Sequence, residues 1–190
     1  MNTIETIKKD LAESAKIKKD LIRQAALIDK IAKEAILALK KGGKIIVFGN
    51  GGSASDSQHM AAELVGRFRR EKRPLPAISL TTNTSILTAI GNDYGFQYSF
   101  SKQIEANACK PDLIFAISTS GNSKNVLEAV LAAKKMKLKT VGLSGCGGGQ
   151  LSKISDLSLV VPSDSTARIQ EAHITVIHII CGLIEEAFIK

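Results

Sequence analysis

The chain has 190 residues, of which 44% are hydrophobic and 23% are charged. This length suits one domain with a single core, and the composition excludes a disordered, collagen-like or coiled-coil protein. The 26 Lys and Arg residues against 18 Asp and Glu give a net charge of +8, which admits nucleic acid or a small anion as partner. An aromatic content of 4% without Trp argues against the stacking platforms of single-strand binding proteins.

The sequence predicts a cytoplasmic protein that does not enter a membrane. Its longest stretch without Asp, Glu, Lys or Arg, Ala172 to Ile184, is shorter than the roughly 18 to 20 residues of a transmembrane helix. The N-terminus mixes acidic and basic residues and lacks the apolar segment of a signal peptide. Cys109, Cys146 and Cys181 are an odd number without CxxC spacing, which indicates reduced thiols.

The first forty residues differ in pattern from the rest of the chain. Apolar residues recur at three- and four-residue steps from Thr3 to Lys41, which predicts one or two long amphipathic helices. Gly42 and Gly43 end this segment. We therefore divide the chain into a helical arm at 1–41, with a role in oligomerisation, and a sheet domain at 42–190.

The sheet domain alternates short apolar runs, typical of buried parallel strands, with helical segments. The predicted strands are Lys44–Phe48, Ala77–Leu80, Leu113–Ile117, Thr140–Leu143 and Leu157–Val161. The predicted helices are Ser53–Phe68, Thr84–Ile90, Tyr98–Ala108, Ser123–Met136 and Thr166–Ile189. This alternation predicts an α/β fold, a three-layer α/β/α sandwich around a five-stranded parallel sheet, with ligands bound at the carboxyl ends of the strands.

Two loops at that edge have the composition of ligand-binding loops. Gly49, Gly51 and Ala54 match the loose dinucleotide pattern G-x-G-x-x-A, but the second strand ends without the acidic residue that binds a ribose, which disfavours NAD. These glycines fit a tight turn equally well. The loop Ser118–Ser123 carries four hydroxyl residues where a helix begins, which favours a phosphate site over an ordinary helix cap.

Polar residues on two helices could form a further site. His59 and Glu63 are spaced i, i+4, and Gln170 and His178 are eight apart, about 80° around a helix. Such side chains can bind a divalent metal or act as base and acid. From spacing alone, an exposed ion pair of His59 and Glu63 and a buried core histidine at His178 fit better. The run Arg67–Arg73 could contact nucleic acid or sugar phosphates, but fits a solvated helix end better.

Taken together, these motifs resemble the phosphoheptose isomerases of the sugar isomerase (SIS) domain family. The resemblance covers nearly the whole chain. Its motifs are Gly49–Ser53, Gln58–His59 with Glu63, Gly91–Asp93, Ser118–Ser123, and Ala167–Glu171 with His173 and His178.

The resemblance implies the SIS fold and an enzyme that converts sedoheptulose 7-phosphate to D-glycero-D-manno-heptose 7-phosphate through an enediol, the first step of heptose synthesis for lipopolysaccharide or capsule. It makes Glu63 the base and His178 the acid. The implied substrate-binding residues are Asn50, Gly51, Gly52, Ser53, Glu63, Asn92, Asp93, Ser118, Thr119, Ser120, Ser123 and Gln170. The implied ligands of one zinc ion per subunit are His59, Glu63, Gln170 and His178. The family pattern also implies a homotetramer with active sites between subunits, and no nucleic-acid partner.

Two other functions fit the fold. One is a non-catalytic relative that binds the replication initiator, but such proteins lack the equivalents of Glu63 and His178, which are both present here. The other is an isomerase of a shorter phosphosugar. The sequence departs from the family pattern at Ala167, where some members have Asp, and at Cys146, where Lys is common.

Overall fold

The structure is a computed structural model that describes residues 2–189. Met1 and Lys190, the outermost residues of the two predicted units, lie outside the described residues. The arm consists of helix α1 (Thr3–Asp20) and helix α2 (Ala25–Lys40), joined by a 3₁₀ turn at Leu21–Gln24. Asn2 caps α1 by accepting a hydrogen bond from the backbone N–H of Ile4 at 3.2 Å.

Five strands form one sheet in which every neighbouring pair is parallel. The strands are β1 (Ile45–Gly49), β2 (Ala77–Ser79), β3 (Leu113–Ser118), β4 (Lys139–Ser144) and β5 (Leu157–Val160). Their order is β2-β1-β3-β4-β5, so the direction of winding reverses between β1 and β3. Ligands of open parallel sheets bind at such a reversal, outside the carboxyl ends of the strands.

The remaining helices cover both faces of the sheet. They are α3 (Gly52–Val65), α4 (Thr84–Asp93), α5 (Ser101–Asn107), α6 (Lys124–Lys135), α7 (Gly149–Ile154) and α8 (Thr166–Glu186). One core contains residues of α2, α3 and α8, and the second contains residues of α5, α6 and α7. The predicted three-layer sandwich with a five-stranded parallel sheet is confirmed.

The bounds of two predicted helices are wrong, and one short helix was not predicted. Helix α3 ends at Val65 and not at Phe68, so the run Arg67–Arg73 is a loop and not a solvated helix end. The segment that begins at Tyr98 starts with a separate 3₁₀ turn, Phe96–Tyr98, before α5. The glycine-rich loop after β4 leads into the short helix α7, which was not predicted because three successive glycines disfavour a helix.

Helix α8 is the core helix of one sheet face. Within residues 2–189 it is the one helix that is long and apolar enough to cross a membrane by length and composition. Its apolar residues Ile169, Val176, Ile180 and Ile184 are fully buried in the core, which accounts for its hydropathy.

The loops after β3 and β4 pack against each other. The backbone N–H of Gly145 donates to the Thr119 carbonyl at 2.9 Å, and that of Leu151 donates to the Gly121 carbonyl at 2.9 Å. Gly121 has a φ of +66°, and a Cβ at this position would collide with the Gly148 carbonyl oxygen. The conformation of the Ser118–Ser123 loop therefore depends on contact with the next loop.

We expect Gly121→Ala to destabilise the protein more than Gly147→Ala. Gly147 also has a positive φ, +71°, but a Cβ there would meet no atom within 4 Å. Gly147→Ala should therefore cost only the strain of a left-handed residue, about 1 kcal/mol. Gly121→Ala adds a backbone collision, which should cost roughly 1–3 kcal/mol more. Urea unfolding measures both, and equal losses would contradict this packing.

His173 joins α8 to the end of β4. Its side chain is fully buried, and its Nε2 lies 3.2 Å from the Ser144 carbonyl oxygen, to which the neutral ring can donate. Burial lowers the pKa of His173 to about 4, against a smaller opposing effect of the bond to Ser144. The folded protein therefore keeps this ring uncharged at neutral pH.

The buried ring makes the stability of the protein depend on pH. Between about pH 6.5 and pH 4 the unfolded state protonates His173 and the folded state does not, so stability should fall as the pH falls, by about 3 kcal/mol in total. We expect His173→Gln to remove this part of the decline. The measurement is the unfolding free energy of both proteins at several pH values. The difference between the two proteins at each pH cancels the contributions of the carboxylates, which both proteins share. A difference that does not change with pH would show that His173 is not buried as a neutral base.

Candidate active site

Helices α3 and α8 place the predicted catalytic residues side by side. Gln170, near the start of α8, lies against Gly52, the first residue of α3, in space that a Cβ on Gly52 would fill. His178, two turns further along α8, meets His59, two turns further along α3. Since the contacts advance together, the two helices run in the same direction.

Three predicted residues form a cluster at this contact. His59 Nε2 lies 2.9 Å from Glu63 Oε1 and 3.0 Å from His178 Nε2. One ligand atom from each of the three residues lies within 4.8 Å of the others. Glu63 and His178 are partly buried, so the interpretation of His178 as a fully buried core histidine is wrong. Two imidazole nitrogens and a carboxylate oxygen can hold a divalent metal or move protons.

Gln170, the fourth predicted metal ligand, is on the same helix as His178. It precedes His178 by eight residues, which corresponds to about 12 Å along a helix axis. Its amide contacts Gly52, which belongs to the predicted substrate loop. Its role as a metal ligand therefore stays a prediction, while its position beside the loop after β1 fits a role in substrate binding.

Asp56, one turn before His59, is a residue that the sequence analysis missed. One oxygen of its carboxylate is buried without a hydrogen-bond partner. Burial raises the pKa of Asp56 to about 6, against a smaller lowering by His59. Its position three residues before His59 could have indicated Asp56 from the sequence, because both side chains then lie on one helix face. The burial of its carboxylate cannot be predicted from spacing.

The loop Ser118–Ser123 lies at the carboxyl end of β3, beside the point where the sheet reverses. Ser118 Oγ and Ser123 Oγ are 3.0 Å apart, and Asn122 donates from its amide to the Ser120 carbonyl at 3.0 Å. Ser123 precedes α6, but its side chain does not cap the helix. The hydroxyls of the loop and the positive end of α6 are thus in one place, as a phosphate site requires.

The loop after β1 is tied by a pair of amides to the start of α6, directly after the Ser118–Ser123 loop. Asn50 and Asn125 exchange two side-chain hydrogen bonds, each of 2.8 Å. Asn125, which is buried in the first turn of α6, was not predicted, although a lone Asn in the first turn of an apolar helix was a possible signal. Gly51, Gly52 and Ser53 follow Asn50 into the first turn of α3.

The predicted substrate-binding residues Asn92 and Asp93 belong to α4, and not to the two loops or the α3–α8 cluster. They are exposed at the end of α4, and the Asn92 amide donates to the Asp93 carboxylate at 2.8 Å. Leu87 of α4 packs on the core opposite to that of α3 and α8. Their contact with substrate therefore stays a prediction.

Comparison with known proteins identifies the family. The SIS domain model matches residues 11–145. The phosphoheptose isomerase of Campylobacter concisus is 63% identical over 150 residues, 79% of each chain. Phosphoheptose isomerase 1 of Campylobacter jejuni is 51% identical over 97% of this chain and 100% of its own. The structure of the phosphoheptose isomerase of Neisseria gonorrhoeae superposes with a TM-score of 0.92, at 42% identity, over 97% of this chain and 100% of its own.

The family model matches most of the chain, and the Campylobacter jejuni and Neisseria gonorrhoeae relatives match over their full length. The strand order and the side-chain cluster shared by α3 and α8 agree with this assignment. The chain belongs to the SIS domain family and, within it, to the phosphoheptose isomerases.

Proposed function

We propose that this protein converts sedoheptulose 7-phosphate to D-glycero-D-manno-heptose 7-phosphate, the first step of heptose synthesis for lipopolysaccharide or capsule. The observation that carries this proposal is the cluster of Glu63, His59 and His178, which brings a carboxylate and two imidazoles together from two helices. The relatives named phosphoheptose isomerase support the choice of substrate class.

In the proposed mechanism, Glu63 takes the proton from carbon 1 of the ketose, next to the carbonyl at carbon 2. His178 donates a proton to the carbonyl oxygen, which gives an enediol. His178 then accepts the proton of the hydroxyl on carbon 1, and Glu63 returns its proton to carbon 2, which leaves the aldose. Positioned acids and bases of this kind each contribute roughly 10²- to 10⁴-fold.

The phosphate of the substrate would bind to the Ser118–Ser123 loop. The proposed donors are the hydroxyls of Ser118, Thr119, Ser120 and Ser123, with the first turn of α6. The sugar would lie between this loop and the loop Asn50–Ser53, with Gln170 at its side and with contacts from Asn92 and Asp93. The amide pair of Asn50 and Asn125, with bonds of 2.8 Å, supports a fixed spacing of the two loops.

The donor set of the cluster fits zinc, because two imidazole nitrogens and a carboxylate oxygen are common ligands of that ion. His59, Glu63 and His178 would hold it, with Gln170 as the proposed fourth ligand. When bound, the ion would supply Lewis-acid stabilisation of negative charge on the substrate oxygens.

We also propose a homotetramer in the cytoplasm, in which the arm at 1–41 joins subunits and the domain at 42–190 carries the site. Ile4, Ile7, Leu11 and Ile22 of the arm are more than half exposed, at 63%, 53%, 67% and 70%. Apolar side chains in such a row support a contact with another subunit. The three cysteines are free, which agrees with a reducing compartment.

Replacing the base tests the mechanism. Glu63→Gln keeps the shape of the side chain but cannot accept a proton at neutral pH, so we expect isomerisation of sedoheptulose 7-phosphate to fall by at least ~10²-fold. His178→Gln should fall by a similar factor. The exposed Glu105 on α5 provides the matched control, and Glu105→Gln should keep the parental rate. A parental rate in Glu63→Gln would remove Glu63 from the mechanism.

The length of the sugar tests the substrate. Turnover should be highest on the seven-carbon phosphosugar when heptulose, hexulose and pentulose phosphates are compared at equal concentration. A preference for a five- or six-carbon sugar phosphate would replace the heptose assignment but leave Glu63 and His178 as the acid–base pair.

Metal analysis tests the zinc proposal. Protein purified without chelator should contain one zinc ion per subunit, and His59→Ala should lose it, because one of the clustered ligands is missing. His173→Ala is the control, since that ring contacts Ser144 and not the cluster. Zinc content unchanged in His59→Ala, or full activity in metal-free protein, would contradict a catalytic zinc at this site.

A further inference from the structure

The loop that follows α3 is organised by one buried carboxylate. Glu185, near the end of α8, is 2% exposed. Its oxygens accept hydrogen bonds from the backbone N–H groups of Phe68 at 2.9 Å, Arg69 at 2.9 Å and Arg70 at 2.8 Å. A carboxylate with three such donors is firmly held, because charge-assisted bonds to backbone N–H groups are short and strong.

The same loop has a second attachment. The Lys72 ammonium group is buried and donates to the carbonyls of Leu64 at 2.7 Å and Gly66 at 2.6 Å, at the end of α3. Burial by itself raises the pKa of Glu185, but the three backbone N–H groups and the charge of Lys72 together hold it below its ordinary value. Glu185 is therefore ionised at neutral pH, and the loop is fixed at both of its ends.

The fixed loop presents an aromatic ring to the proposed catalytic acid. The rings of Phe68 and His178 are stacked, with centroids 5.6 Å apart and an interplanar angle of 27°. Gly182 leaves room for this stack, because a Cβ there would lie only 3.3 Å from Phe68 Cε1. The guanidinium of Arg69 lies over the Phe68 ring, 4.9 Å from its centroid.

Without the Phe68 ring, His178 would be free to turn towards an open groove. The groove is lined by Arg69, Thr175, His178, Ile179, Gly182, Leu183 and Glu186. Rotation into that space would break the 3.0 Å contact between His178 Nε2 and His59 Nε2. A proton-transfer group displaced by about 1 Å can lose up to roughly 10² in rate.

We propose that Glu185 is a positioning residue for the reaction, which acts by holding the loop so that Phe68 keeps the His178 imidazole directed at His59 and Glu63. This rests on the proposed role of His178. Glu185 touches no reacting atom, and its effect passes through Phe68. A residue that served only the stability of the fold would instead lower the amount of folded protein and leave the kinetic constants of the folded fraction unchanged.

The experiment compares Glu185→Gln, Phe68→Leu and the double variant in the full-length protein. In each single variant we expect kcat to fall about tenfold, while KM for sedoheptulose 7-phosphate stays within about twofold, because the phosphate loop is untouched. If Glu185 acts through Phe68, the double variant should be no slower than either single variant. Phe68→Tyr keeps the ring and should keep the parental kcat, and Glu105→Gln is the control for the amide substitution.

Three results would overturn the proposal: a parental kcat in folded Glu185→Gln, a parental kcat in Phe68→Leu, or a double variant that loses the product of the two single effects. If Glu185→Gln does not fold, the comparison of Phe68→Leu with Phe68→Tyr still decides whether the ring positions His178. Failure of the proposed function is a different result, since the parental protein would then not turn over sedoheptulose 7-phosphate, and failure of the role of His178 would leave His178→Gln at the parental rate.

Discussion

The contact between α3 and α8 is the interaction on which the site depends. The Gln170 amide lies against Gly52, and the His59 ring contacts the His178 ring. Phe68, just beyond α3, packs over Gly182. A parallel pair of helices on one face of the sheet can be held in this register only if small residues allow close approach at both ends. A shift of one turn would separate the His59–Glu63 pair from His178 and leave neither group able to act with the other.

The sheet supplies the other half of the site. The strand order β2-β1-β3-β4-β5 places the loops after β1 and β3 on either side of the reversal, and the pairing of Gly49 with Ile117 brings their starting points level. The amide pair of Asn50 and Asn125 then fixes the distance between these loops. In the proposed function, separate parts of the fold therefore bind the substrate phosphate and the reacting carbons: the loop after β3 binds the phosphate, and the α3–α8 contact binds the carbons.

Much of this was predictable from the sequence. Continuous apolar runs separated by helical segments identify a parallel sheet, and hydroxyl residues before α6 predict a phosphate loop, because both are local patterns. Helical spacing made a joint site of His59 and His178 one possibility, and the resemblance made it the expected one, since 119 residues separate them. The end of α3 at Val65 and the burial of Asp56, Asn125 and Lys72 depend on tertiary packing, which spacing along the chain does not encode.

The run Arg67–Arg73 shows how far tertiary structure changes the meaning of a charge pattern. In sequence it is the densest cluster of cations and suggests a phosphate surface. In the structure its backbone N–H groups converge on Glu185, more than 110 residues away, while Lys72 turns inward to the end of α3. Two of its guanidinium groups lie over aromatic rings, that of Arg69 over Phe68 and that of Arg73 over Phe188. The part that matters to the site is the backbone, and through it the single aromatic ring of Phe68, which has no charge at all.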